Sequence, residues 1–193
     1  MMPTMATRDV LWADRDGRGF EHVRLAMERD GVRADSLIIA VAEGGPPYRA
    51  RYRVECDRAW IVRRARIERL DEPSDVLDLH VNEDGRWSDG ATGAPLPLDG
   101  CVDADIYPSP FTDTLPIRRL PDLAVGRPVL LRMAWVTLPA LTPQVSPQEY
   151  TLLERGADGS RWPFRAPDSD FTVELHPDRH GVVRDYPGIA RRV

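Results

Sequence analysis

Strict alternation of apolar and polar residues constrains this chain more than any other feature of its sequence. From Tyr48 to Cys56 every second residue is apolar, and the residues between them are three arginines and a glutamate. A period of two places the apolar side chains on one face of an extended segment, which is typical of a half-buried antiparallel strand. The run from Val76 to Val81 alternates in the same way, and Asp84-Gly85 after it predicts a hairpin turn.

Similar segments recur along most of the chain. They predict about eleven or twelve short strands, which include Phe20–Leu25, Ser36–Val41, Trp60–Leu70, Cys101–Ile106, Val129–Leu138, Gln148–Glu154, Phe171–His176 and Val182–Tyr186. Helical signals are confined to Arg8–Trp12 and Leu115–Leu123, each long enough for a turn or two, and prolines bracket the second. The predicted fold is therefore all-β: a single-domain antiparallel β roll or open barrel with one or two short helical turns.

Length and charge narrow the class of protein further. A chain of 193 residues suits one domain over 1–193, with residues 1–7 as a disordered N-terminal tail. All 26 basic residues are arginine, but 31 acidic residues outnumber them and the net charge is −5. A net negative charge counts against a nucleic-acid partner. There is no apolar run of about 18 residues and no secretory leader at the start, so we expect no transmembrane segment and a cytoplasmic location.

The densest group of polar residues runs from Gly100 to Leu120. Asp103 and Asp105 stand two positions apart on a predicted strand, so their side chains leave the same face. Their spacing is near that of the paired carboxylates of glycosidases. The same aspartates could instead form ion pairs with Arg118 and Arg119 that anchor a loop to the sheet, since buried charges need partners. A third interpretation is contact with a ligand headgroup.

Other candidate sites have ordinary structural explanations. His176 and His180 flank a predicted hairpin turn, so their rings need not converge, and we expect neither a metal nor a cofactor. Cys56 and Cys101 are expected to be small buried residues. No nucleophile elbow or phosphate-binding glycine loop occurs in the sequence, so no catalytic residue is predicted.

Two further groups of residues leave alternatives open. An arginine row is either an anion-binding stripe or a solvated face balanced by Glu55 and Glu68; it comprises Arg49, Arg51, Arg53, Arg63, Arg64 and Arg66. The scattered aromatic residues, among them Trp135, Phe164 and Tyr186, either fill a core or line a ligand cavity in a roll too wide to fill itself.

The run from Cys101 to Leu120 resembles the bacterial putative glycolipid-binding family, formerly a family of unknown function. The resemblance rests on Cys-x-Asp-x-Asp followed by Pro110-Phe-Thr-Asp-Thr-Leu-Pro-Ile-Arg-Arg-Leu120. Flanking segments agree in order: Trp87, Val136–Pro139, Gln148–Tyr150 and Tyr186–Gly188. The resemblance implies a β roll or open barrel similar to bacterial lipoprotein carriers that hold acyl chains. Asp113 stands where asparagine is usual in the family.

These observations favour a non-enzymatic protein that binds an amphipathic ligand, such as a glycolipid or another acyl-chain lipid, in a β-roll cavity. Ligand contacts are predicted for Trp87, Asp103, Asp105, Phe111, Thr112, Asp113, Thr114, Arg118, Arg119 and Tyr150. One alternative is a hydrolase that cleaves a glycoside or ester through Asp103 and Asp105. A second alternative is a protein-interaction module, and the sequence predicts no particular oligomeric state.

Overall fold

β-Strands dominate the computed structural model, which describes residues 6–71 and 75–193. Strands hold 59% of the residues and helix 3%, which confirms the all-β prediction. The elements in chain order are β1 (Ala6–Asp14), β2 (Phe20–Met27), β3 (Gly31–Val41), β4 (Pro47–Asp57), β5 (Val62–Arg69), β6 (Val76–Val81), β7 (Trp87–Asp89), β8 (Cys101–Tyr107), α1 (Thr114–Arg119), β9 (Pro128–Thr137), β10 (Thr142–Thr151), β11 (Glu154–Gly156), β12 (Gly159–Ala166), β13 (Phe171–Pro177), β14 (Val183–Tyr186) and β15 (Ala190–Arg192).

All the described strands belong to one sheet that is not closed into a barrel. Its order is β7-β6-β5-β4-β3-β2-β1-β15-β14-β13-β12-β10-β9-β8, and β11 pairs only with β12. Neighbouring strands run antiparallel except β8 and β9, which are parallel. The two ends of this order, β7 and β8, are consecutive in the sequence, and the indole Nε1 of Trp87 donates a 3.0 Å hydrogen bond to the carbonyl oxygen of Cys101. This hydrogen bond connects the two edge strands of the open sheet.

The alternation from Tyr48 to Cys56 forms β4 as predicted. Tyr48, Tyr52 and Val54 are among its buried residues, whereas the arginines between them point to solvent. Tyr52 lies opposite Ser36 of β3 and Ile67 of β5, so the same face is buried on three adjacent strands. Regular burial on one face fixes the pairing register, because a slip of one residue would turn every apolar side chain to water.

Several sequence-based predictions need correction. The described residues contain fifteen strands instead of eleven or twelve, since β1, β11, β12 and β15 were not predicted. The helical turn expected at Arg8–Trp12 is wrong: this segment lies in β1, and its buried residues Val10 and Trp12 follow a period of two. Ala6 and Thr7 also lie in β1, opposite Met27 and Ala26, so they are not part of a tail. Residues 1–5 of the proposed tail lie outside the described residues.

The segment from Pro108 to Leu120 lies between two clusters of buried apolar residues. Phe111 and Leu115 belong to the larger cluster, which also contains the buried face of β4. Ile117 belongs to the smaller cluster, with Tyr150, Trp162 and other residues of the later strands. The short helix predicted in this region is present as α1. Because its buried residues contact both clusters, it packs inside the roll.

The arginine row is an ion-paired outer face. Arg51 and Arg53 both bind Asp35, at 2.9 and 2.6 Å. The remaining pairs are Arg49 with Asp71, Arg63 with Asp57, and Arg64 and Arg66 with Asp78. The expected balance by Glu55 and Glu68 is right only in part, since Arg66 lies 3.5 Å from Glu68 while aspartates hold most of the row.

Candidate functional site

An aromatic cavity of about 480 Å³ opens beside β8, β9, β10, β12, β13 and β14. Its volume falls within the usual range of roughly 300–1,000 Å³ for ligand pockets. Five rings line it: Tyr107, Trp135, Phe164, Phe171 and Tyr186. Its polar lining comes from Asp105, Ser109, Ser146, Gln148, Asp168 and Ser169. The cavity therefore joins a broad apolar wall to a small group of hydrogen-bonding side chains.

Strand register brings these side chains together. Asp105 on β8 lies opposite Trp135 on β9. A period of two places Ser146, Gln148 and Tyr150 on one face of β10, and Tyr150 lies opposite Phe164 of β12. The ring centroids of Tyr107 and Trp135 are 6.5 Å apart, and those of Phe164 and Phe171 are 6.0 Å apart. The aromatic residues thus serve both as core and as cavity lining, the two possibilities that the sequence left open.

Asp105 belongs to the polar lining of the aromatic cavity. Its carboxyl group accepts hydrogen bonds from the Thr112 hydroxyl at 2.9 Å and from the Gln148 amide at 2.5 Å. Burial raises the pKa of Asp105, although these two hydrogen bonds act in the opposite direction. A carboxyl group held in this way can accept a hydrogen bond from a ligand hydroxyl, or donate one when protonated.

A buried hydrogen-bond chain lies behind Asp105. The Tyr150 hydroxyl is 2.9 Å from Oε1 of Gln148 and 2.8 Å from Oδ1 of Asp113. A phenol has a single proton, so when it donates to Gln148 the proton between Tyr150 and Asp113 must come from Asp113. Burial and the nearby Asp105 raise the pKa of Asp113 well above its ordinary value, in agreement with a neutral Asp113. A neutral Asp113 offers a donor and an acceptor, as the asparagine implied by the family resemblance would.

A second buried acid meets the cavity at Ser109. Oε1 of Glu21 accepts hydrogen bonds from Tyr52 at 2.6 Å, Ser109 at 2.7 Å and Ser36 at 2.9 Å. Burial raises the pKa of Glu21, and these three bonds lower it in part. This residue was not predicted from the sequence, although the sequence carries a signal for it: Glu21 stands two residues before Val23, on the inward face of β2.

Asp103 lies away from the aromatic cavity. Its side chain is fully buried, and neither oxygen has a hydrogen-bond partner within the described part of the chain. Nη1 of Arg119 is 3.6 Å from Oδ1. Burial raises the pKa of Asp103 to about 7, and Arg119 opposes this shift. The predicted ion-pair network therefore reduces to this one pair. Asp105 is held by Thr112 and Gln148, while the Arg118 guanidinium stacks over the Trp60 ring at 4.9 Å.

The other residues predicted to contact ligand are mostly internal. Asp105 is the member of that group that lines the aromatic cavity. Arg118 and Arg119 line a different cavity. The remaining side chains are buried and support the interior: Trp87, Asp103, Phe111, Thr112, Asp113, Thr114 and Tyr150. Trp135 and Phe171, which meet the space directly, were not among the predicted contacts.

The histidines and cysteines singled out in the sequence lie in a hairpin, next to acidic residues, or in the buried interior. His176 lies 3.2 Å from Glu174, and His180 follows Asp178 in the hairpin turn. Within residues 6–71 and 75–193, no group of three or more histidine, cysteine or acidic side chains is placed to hold a metal. Burial raises the pKa of the Cys101 thiol to about 11 and also raises that of Cys56. Both cysteines are buried, as predicted, and the structure has them as free thiols.

Comparison with known proteins agrees with this architecture. The profile of the family described as "Putative glycolipid-binding" matches residues 9–192. A crystal structure of a DUF1089 family protein from Pseudomonas aeruginosa superimposes with a TM-score of 0.78 and 38% identity, over 91% of this chain and 92% of the other. No curated protein matches the chain significantly. No helix in the described ranges is long and apolar enough to cross a membrane. The chain therefore belongs to the putative glycolipid-binding family.

Proposed function

We propose that this protein binds an amphipathic, hydroxyl-bearing molecule in the aromatic cavity, without chemical conversion of that molecule. The observation that carries the proposal is that one cavity is lined both by aromatic rings and by the hydrogen-bonded Asp105–Gln148 pair. Apolar parts of the ligand would pack against rings such as Trp135 and Phe171. Its hydroxyl groups would exchange hydrogen bonds with the carboxyl and amide groups.

The energetics favour a ligand with an alkyl or acyl portion. Each methylene group moved from water to an apolar surface gains about 0.8 kcal/mol, which corresponds to roughly a fourfold gain in affinity. The polar groups contribute less energy but fix the orientation of the ligand, because Asp105 and Gln148 are already held by Thr112 and Tyr150. A glycolipid has both required parts, and the description of the family supports this choice of ligand class.

The hydrolase alternative receives less support from the geometry. A pair of catalytic carboxylates must face the same bound substrate. Asp105 lines the aromatic cavity, whereas Asp103 is fully buried next to Arg119. The two aspartates leave the same face of β8, but the cavity reaches Asp105 and not Asp103.

Native mass spectrometry of the isolated protein, followed by calorimetric titration with alkyl glycosides of increasing chain length, tests the proposal. We expect affinity to rise by about fourfold per methylene until the cavity is filled. If the affinity of the alkyl glycosides does not depend on chain length, the proposal is contradicted and a protein-interaction module becomes the better hypothesis. Release of free sugar or alcohol during the titration would favour the hydrolase.

Substitutions locate the binding site. Trp135→Ala removes part of the aromatic wall and should weaken binding of the longest glycoside by at least tenfold. Leu130→Ala is the matched control, since Leu130 lies on the same strand β9 but is 61% exposed and outside the cavity. Equal weakening by both variants would place the ligand elsewhere. Asp105→Asn should weaken glycosides more than it weakens the corresponding alkyl sulfonates, which lack sugar hydroxyls.

A further inference from the structure

A second cavity, the arginine pocket, lies on another part of the molecule and has a volume of about 570 Å³. Five arginines line it: Arg58, Arg118, Arg119, Arg155 and Arg179. The arginine pocket shares no lining residue with the aromatic cavity. Arg118 and Arg119 are half-buried at the end of α1, whereas the other three are exposed.

The arginines of this pocket are partnered differently from those on the outer faces of the sheet. Arg161, for example, makes two 2.9 Å bonds to the carboxylate of Glu174. In the pocket, by contrast, Arg118 donates to the carbonyl oxygen of His180, and Arg155 donates to that of Pro121. Among the residues that the structure describes, the buried Nε of Arg118 has no hydrogen-bond partner. Carbonyl groups accept hydrogen bonds but carry no net charge, so they leave the guanidinium charges uncompensated.

The remaining three arginines add to this excess of positive charge. Arg58 donates to the carbonyl oxygen of Arg29, and its nearest carboxylate is that of the exposed Asp30, at 3.9 Å. Arg179 donates to the ring of His180. Arg119 donates to the carbonyl oxygen of Val102, with the buried Asp103 at 3.6 Å.

The acidic residue that lines the pocket does not cancel this charge. Asp178 is already bound by Arg8 at 2.6 Å and by Arg192 at 2.8 Å. These two arginines more than balance its single charge. The backbone N–H groups of His180 and Val182 also donate to Asp178, so its carboxylate oxygens have several donors before any ligand arrives.

We propose that the arginine pocket binds a phosphate monoester group. A planar guanidinium can donate two parallel hydrogen bonds to an oxyanion, and several guanidinium groups around one concave space suit a ligand with many oxygen acceptors. A phosphate monoester carries close to two negative charges and three acceptor oxygens, so it compensates more of this charge than a single carboxylate does. The non-phosphate part of the ligand would extend past Arg155 and Arg179 toward solvent. This site is independent of the function proposed for the aromatic cavity.

Calorimetric titration of the full chain with glycerol 3-phosphate at low ionic strength tests this inference. We expect saturable binding that weakens as salt is added. The double variant Arg155→Ala/Arg179→Ala should bind at least tenfold more weakly; both side chains are exposed, so their removal should not disturb folding. The control Arg161→Ala/Arg165→Ala removes the same number of charges from exposed sites outside the pocket. Trp135→Ala should leave phosphate binding unchanged and so separates this test from that of the aromatic cavity.

Two sources of the phosphate group are distinguished by a parallel measurement with vesicles. Phosphatidylcholine vesicles with and without phosphatidic acid are compared in a flotation assay, with the same two double variants. Binding that requires phosphatidic acid and is lost in Arg155→Ala/Arg179→Ala assigns the site to a lipid headgroup. Binding of glycerol 3-phosphate alone assigns it to a soluble phosphate. Absence of saturable binding to either probe, or equal weakening by the two double variants, would overturn the proposal.

Discussion

Replacing Asp103 with asparagine should change the pH dependence of stability in a defined direction. The carboxyl group has an ordinary pKa of 3.8 in the unfolded chain, and burial raises the pKa to about 7 in the folded protein. As pH rises from 4 to 7, the unfolded chain therefore releases its proton first, and the free energy of unfolding falls. Asparagine is similar in size and does not titrate, so the free energy of unfolding of the variant lacks this decrease with rising pH.

The expected magnitude follows from the two pKa values. Between pH 5 and pH 8, the different proton affinities of this carboxyl group in the folded and unfolded states lower the free energy of unfolding by about 2.5 kcal/mol. The other buried acids, Glu21, Asp105 and Asp113, titrate in both proteins and cancel in the comparison. The cost of burying the new amide is independent of pH, so it shifts the whole curve without changing its slope.

Urea unfolding followed by tryptophan fluorescence at pH 5 and pH 8 measures this difference. The stability of Asp103→Asn relative to the wild type should increase by about 2.5 kcal/mol from the lower to the higher pH. Asp170→Asn, at an exposed position, is the control and should follow the wild type. A constant difference between Asp103→Asn and the wild type across this range would refute the assignment of a raised pKa to Asp103.

Three further substitutions test other contacts. Asp113→Asn keeps a neutral partner for Tyr150 and should change the free energy of unfolding at pH 5 by less than about 1 kcal/mol in urea titrations; a larger loss would mean that Asp113 is needed as an acid. Trp87→Phe leaves the carbonyl oxygen of Cys101 without its donor and should cost about 1–3 kcal/mol by thermal unfolding, whereas an unchanged melting temperature would contradict a role for this bond. Asp178 has a pKa lowered to about 2, so its stabilisation is present above pH 4 and lost as pH falls toward 2. Asp178→Asn should therefore cost about 2 kcal/mol at pH 7 and clearly less at pH 3, and equal losses at both pH values would be inconsistent with the ion pairs.

Periodicity predicts the strands well where one face is regular. The segment from Tyr48 to Cys56 contains nine alternating residues, and it forms β4. The sequence of Arg8–Trp12 predicts a helical turn, yet Val10 and Trp12 already show the strand period. β15 has three residues and depends on pairing with β1, so its own sequence contains little of the information that places it.

The candidate site was harder to predict because its contacts join distant parts of the chain. Asp105 and Gln148 are 43 positions apart, and their hydrogen bond depends on the order in which β8, β9 and β10 pair. Asp103 and Asp105 look equivalent in the sequence because they share a face of β8. Their surroundings differ only after folding, when Asp103 meets Arg119 and Asp105 meets the cavity.

The pairing of β1 with β15 has a consequence for the order of folding. Most neighbouring strands are joined by short connections, so their hairpins can close early at a small cost in chain entropy. Trp12 and Arg192, by contrast, pair across almost the whole chain. We therefore expect the hairpins of β2 to β5 to gain protection from hydrogen exchange early in refolding. Protection at the amide of Ala13, which points away from β2 and toward Arg191 of β15, should follow in a later step, when the β14–β15 hairpin docks on β1.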